Sequence, residues 1–276
     1  MKKYLYVAAI IVGLGSASVA LASHSWGGYH WGRTTTPFAL TLGDNVTSTW
    51  DSYLATTSNA WSQSNVLDTT VVVGTALRHK ATKKDCSPVA GTVQVCNKAY
   101  GNNGWLGLAQ IWTSGSHITQ GVAKMNDTYF NTAKYNNPNE KLHVMCQEVG
   151  HTFGLGHTSE DGSSQNTCMD YFSNTGANAT STLSTLPNQH DYDQLAAIYA
   201  HVDSSNSFST ASASNRGASA AAQSDEFTNA SEWGRAIGQD AHGRNNEFEK
   251  DLGHGNKKIT HVFWVEEHAN DDSHTH

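Results

Sequence analysis

The sequence predicts an α+β domain followed by a poorly ordered C-terminal extension. Three observations carry this. Stretches rich in β-branched residues, Thr69 to Leu77 above all, alternate with stretches whose apolar residues share one helical face, as Val46, Trp50, Tyr53, Leu54, Ala60 and Trp61 do. A further helical stretch bears groups able to ligate a metal and move a proton, Gln147-Glu148-Val149-Gly150-His151, with Gly154 and His157 behind it. Past residue 203 the chain turns to Ser, Ala and Asn and then carries only scattered large apolar residues.

The N-terminus reads as a secretory signal. Lys2 and Lys3 precede an apolar run, Tyr4 to Leu14, and Ala20-Leu21-Ala22 offers a cleavage site after Ala22. A membrane anchor needs roughly 20 apolar residues, and this run is broken early by Gly13, Gly15 and Ser16. The chain of 276 residues carries a formal charge of −7 and only 15% charged residues, so its surface is dominated by Ser, Thr, Asn and Gly, as in exported proteins. With no basic excess, nucleic acid and anionic membranes are excluded as partners.

Taken in order, residues 23–36 are short and aromatic, bear His24 and His30, and leave no space for a folded pro-domain before the first strand. Phe38 to Leu42 alternates and predicts that strand. Asp44 or Asn45 suits the cap of a helix running to about Ser62. Thr69 to Leu77 predicts a buried strand, and Cys86 to Cys96 a hairpin or disulfide loop. Gly104 to Trp112 and His117 to Met125 predict two more strands. His117 is a candidate ligand of a structural metal, weighed against an ordinary loop histidine.

Leu142 to Met145 opens a buried helix. On it Gln147 and His151 stand at i and i+4, about 6 Å apart along the axis, so both can reach one ion. Glu148 lies beside them, placed to take a proton from water. Gly154 suits the left-handed conformation that ends a helix, turning the chain so that His157 can supply another ligand. His143, one turn earlier on the same face, is a substitute ligand about 6 Å further along the axis, weighed against a side chain that packs or points to solvent. Asn174 to Thr185 is a polar loop. Pro187-Asn188 then starts a last helix to about Tyr199, with Asn188 as cap and Asp191 in its first turn. Residues 204–226 read as a linker. In the extension, 227–276, Lys258 to Val265 predicts a strand. A lone strand is unstable, so this tail must pack on the main domain, on a partner, or on a hairpin of its own.

The stretch Gln147 to His157 follows the pattern H-E-x-x-H-x-x-G-x-x-H with Gln in the first place, and Cys168-Met169-Asp170-Tyr171 comes after it. It resembles the active-site region of the metzincin metallopeptidases, matrixin-like bacterial members most of all. Over residues 30–201 the resemblance implies a mixed twisted sheet with long helices, a zinc-site helix and a Met-turn at Met169. It implies a secreted endopeptidase that uses Zn2+ and acts on a polypeptide substrate. The ion would sit at Gln147, His151 and His157, with Glu148 as general base. Tyr171 would stabilise an oxyanion or add a ligand, unless it is a core tyrosine beside the turn. The strand at Gly104 to Trp112 would run along the cleft and pair with substrate through a free edge, or else be an ordinary core strand.

Gln147 leaves three arrangements open: ligation through its amide oxygen, replacement by a second water or by Glu148, or a metal-free site. The rival function is a non-catalytic secreted binding or surface protein on the same scaffold. The tail covering the cleft is a route to latency in the absence of a pro-domain. The four cysteines allow three pairings. Cys86 with Cys96 and Cys146 with Cys168 are favoured, the second tying the active-site helix to the residue before Met169.

Overall fold

The computed structural model describes residues 24–74, 86–208 and 228–266. The signal segment, the last part of the strand expected at Thr69 to Leu77, and linker residues 209–226 lie outside them. The described residues form a mixed α+β fold around one nine-stranded sheet. The strands are β1 (His30–Trp31), β2 (Phe38–Asn45), β3 (Leu67–Val73), β4 (Val93–Lys98), β5 (Trp105–Ser114), β6 (His117–Asn126), β7 (Arg235–Gln239), β8 (Asn245–Gly253) and β9 (Asn256–Trp264). Their order is β3-β2-β4-β6-β5-β9-β8-β7, and β1 pairs with the start of β6. The half from β3 to β6 is parallel, and every pairing from β6 through β5 to β7 is antiparallel.

The helices are α1 (Asp51–Trp61), α2 (Asp127–Phe130), α3 (Pro138–His151) and α4 (Gln189–Ile198). Asn137 caps α3 by accepting from Glu140 N, with Pro138 next. Asn188 and Asp191 form a capping box on α4. α3 packs against α1 and lies on β5, β6 and β9. Its close approach to β5 depends on Gly107: a Cβ there would stand 2.5 Å from Glu148 Oε1 and 2.6 Å from Val144 Cγ1. Trp61 on α1 donates its indole N–H to Cys146 O of α3. Both favoured disulfides are present, Cys86–Cys96 and Cys146–Cys168. Among the described residues no helix is long and apolar enough to cross a membrane.

Several expectations need correction. The strand at Thr69 is not buried: β3 is an edge strand that leaves Val71 and Val73 exposed. Asp44 and Asn45 do not cap α1. They end β2, where Asn45 Nδ2 donates to Gln94 Oε1 and Asp44 Oδ1 accepts from Val46 N, so the helix begins only at Asp51. Of the two readings of Cys86 to Cys96, the disulfide loop holds and the hairpin does not: the bridge closes the segment, which leads into β4, lying parallel between β2 and β6. The C-terminal extension is not poorly ordered over residues 228–266. It supplies β7, β8 and β9 to the same sheet, and Ile259 and Phe263 enter the main core. β5 therefore has no free edge, because β9 pairs with it from Trp105 to Ser114.

Candidate metal centre

Among the described residues, three sets of side chains bring metal-ligating atoms within 4.8 Å of one another: His151, His157 and His261; His24, His190 and Asp191; and His30, His117 and Asp203. The first lies on the helix that the sequence singled out.

α3 ends at His151. Gly154, at φ +94°, turns the chain back, and its missing Cβ leaves room for Tyr29 O. His157 returns so that its Nε2 stands 3.1 Å from His151 Nε2. The protonation of this pair follows from its outer contacts. His151 Nδ1 faces Leu155 O at 2.8 Å, and a carbonyl only accepts, so Nδ1 carries the hydrogen. His157 Nδ1 likewise faces the Glu160 carboxylate at 2.6 Å. In the neutral rings both Nε2 atoms are then bare lone pairs pointing at each other. That contact is repulsive unless a cation stands between them. Burial holds His151 well below the usual histidine range, with the His157 charge adding to the effect, so His151 is the lone-pair partner of this contact. A divalent metal satisfies both rings, and hydrogen-bonded outer nitrogens are the usual support of metal-bound histidines.

The third imidazole comes from the extension. His261 on β9 lies opposite Ala109 of β5, and its ring centroid is 4.0 Å from that of His151 and 4.5 Å from that of His157. It is fully buried and held neutral by that burial, then by His151 and His157. Sequence reasoning predicted the strand but not this role. The available signal was a histidine in the middle of an apolar strand.

Gln147 is placed differently. Its Nε2 donates to Cys168 O at 2.9 Å and to Asp170 O at 2.7 Å, which pins the amide to the turn that carries Met169. Its Oε1 is buried and accepts no hydrogen bond. His143 packs, with Nε2 on Asp170 O.

Glu148 is fully buried. Its Oε2 lies 3.5 Å from His261 Nδ1, its Oε1 has no hydrogen-bond partner, and burial raises its pKa well above the usual carboxylate range. The Tyr171 hydroxyl accepts from Asn246 Nδ2 of β8 and lies 3.1 Å from His261 Nε2. Asn246 also donates to Glu160 Oε1, so β8 braces the outer contact of His157. Trp26 closes another side, its ring 5.3 Å from that of His151. The arrangement can hold a metal ion beside a proton-accepting carboxylate in an enclosed, low-dielectric setting.

No family model matches this chain, and no curated protein matches it.

Proposed function

We propose that this protein is a secreted, zinc-dependent endopeptidase of metzincin-like type, in which His261 supplies the imidazole that Gln147 does not. The observation that carries the reading is the convergence of His151, His157 and His261 with Glu148 alongside. Three imidazoles are the donor set of a catalytic zinc site that keeps one position open. Zinc, when bound, lowers the pKa of water to about 7 and polarises a peptide carbonyl.

The chain's own groups do the rest. Glu148 takes the proton of the attacking water and returns it to the leaving amine. Burial raises its pKa well above the usual carboxylate range, which makes the ionised carboxylate a stronger base. Tyr171, oriented by Asn246, donates its hydroxyl hydrogen to the carbonyl oxygen as charge develops there. Gln147 acts as a brace for the Met169 turn. The disulfides fit an extracellular site of action.

A specific observation favours the non-catalytic alternative as a second reading: β9 fills the edge of β5 that an extended substrate would need. The two are separated by measuring zinc content and cleavage of an unfolded polypeptide on the same preparation. The peptidase reading expects stoichiometric zinc and cleavage that vanishes in Glu148→Gln while the zinc stays. Zinc-loaded wild type that cleaves nothing, with activity appearing only in Gln147→His, would sink it in favour of a binding protein.

A further inference from the structure

A second constellation lies at the opposite end of β6 from α2. β1 brings in His30, the first residue of β6 is His117, and the chain leaving α4 contributes His201 and Asp203. Asp203 Oδ1 lies 3.0 Å from His117 Nε2, 3.6 Å from His30 Nε2 and 3.5 Å from His201 Nε2, and His30 Nε2 lies 3.2 Å from His201 Nε2. The ligand atoms of His30, His117 and Asp203 thus lie within 4.8 Å of one another, and His201 borders them from the side of His30.

Hydrogen bonding pairs His117 with Asp203 and His201 with His30. His30 Nδ1 faces Gly28 O at 3.0 Å and so carries its hydrogen, which makes Nε2 a lone pair turned toward the carboxylate at 3.6 Å. Two acceptors that close are well served by a shared cation. Tetrahedral ligands at about 2.0–2.1 Å from an ion stand about 3.3 Å from one another, and the His117–Asp203 and His30–Asp203 separations of 3.0 and 3.6 Å bracket that value.

The surroundings fit a built site. The other oxygen of Asp203 accepts from Arg33 N, and Asp203 N donates to Arg33 O, so the carboxylate is fixed from both sides. Ser207 N donates to Gly32 O, and Gly32 N donates to Ser207 Oγ, which clamps the segment after Asp203 along the residues after His30. The side chains of His30 and Asp203 are nearly inaccessible, while those of His117 and His201 are 37 and 56% exposed. This is a fixed floor with an open mouth, through which an ion can enter.

We propose that His30, His117 and Asp203 form a second zinc site of structural role, with the exposed His201 at its mouth swinging in as the fourth ligand. A site whose four positions are all taken by protein ligands leaves none for chemistry. Its effect is to tie the N-terminal strand and the segment after α4 to the turn between β5 and β6. This site shares no residue with the His151 centre and does not depend on the activity proposed for it.

The test counts zinc per chain in the full-length protein, equilibrated with buffered free zinc, by elemental analysis. His117→Gln/His201→Gln should lose one equivalent relative to wild type, and His151→Gln/His157→Gln a different one, so that the losses add. Within the His151→Gln/His157→Gln protein, zinc should still raise the thermal midpoint, and Asp203→Asn should weaken that binding by more than about 100-fold. Asparagine keeps the volume and the acceptor for Arg33 N, which guards against simple misfolding. Unchanged stoichiometry in His117→Gln/His201→Gln overturns the proposal. So does a His151→Gln/His157→Gln protein whose thermal midpoint ignores zinc.

Discussion

His261 faces Ala109 across the β5–β9 ladder, and its ring comes to lie 4.0 Å from that of His151. The residue that completes the imidazole trio is therefore held by sheet register, not by the helix that carries His151. A one-residue slip of β9 would turn His261 to the other face of the sheet.

His261→Ala should cost most of the zinc affinity at the His151 centre. Adding Gln147→His to that variant should restore binding, because position 147 lies one turn from His151 on the same face. Competition with a calibrated chelator measures both. Undiminished affinity in His261→Ala would mean that the trio is not the ligand set.

Deleting residues 228–276 should both strip the metal and destabilise the domain. The deletion removes Ile259, Val262 and Phe263 from the interior and exposes the edge of β5 from Trp105 to Ser114. The expected product is aggregation-prone and zinc-poor at the His151 centre. A soluble truncated chain with higher proteolytic activity than wild type would make the tail a removable cover instead.

Gly107→Ala should destabilise the protein by about 1–3 kcal/mol, in the range of core overpacking. The new methyl meets Val144 and the carboxylate of Glu148 at under 3 Å, so α3 must move away from β5. Chemical denaturation reads the stability. The same shift should lower any cleavage rate more than it weakens zinc binding.

Glu140 gives a pH signature away from the metal ligands. Burial pushes its carboxyl up to about 8 from an ordinary 4.5; Asn174 N–H donation opposes this, Glu266 adds to it, and Lys134 opposes it. The folded state therefore binds this proton more tightly than the unfolded state does. The stabilisation is complete below the ordinary value and is lost as pH rises from about 4.5 through about 8. Glu140→Gln, which cannot ionise, should show a shallower fall in stability across that window. Identical slopes in wild type and variant would refute the assignment.

Much of the domain was legible before any coordinates. The caps Asn188 and Asp191, the strand at Phe38, the paired strands at Gly104 and His117, and both disulfides could be read from local pattern and cysteine count. The start of α1 was not, because Asn45 is recruited by Gln94 from β4, a partner remote in sequence. The tail was misjudged for the same reason. Its apolar residues look too sparse to order alone, and they become sufficient only when β5 offers a long edge to pair with.

The sequence by itself determined that His151 and His157 would meet, since helical spacing and the turn at Gly154 are short-range geometry. It also placed a glutamine one turn before His151. Only the tertiary structure decided that His261 stands beside them and that His30, His117 and Asp203 come together. Both sets depend on pairings between segments far apart in the chain, whose register is set by backbone hydrogen bonds and core packing that no local pattern encodes.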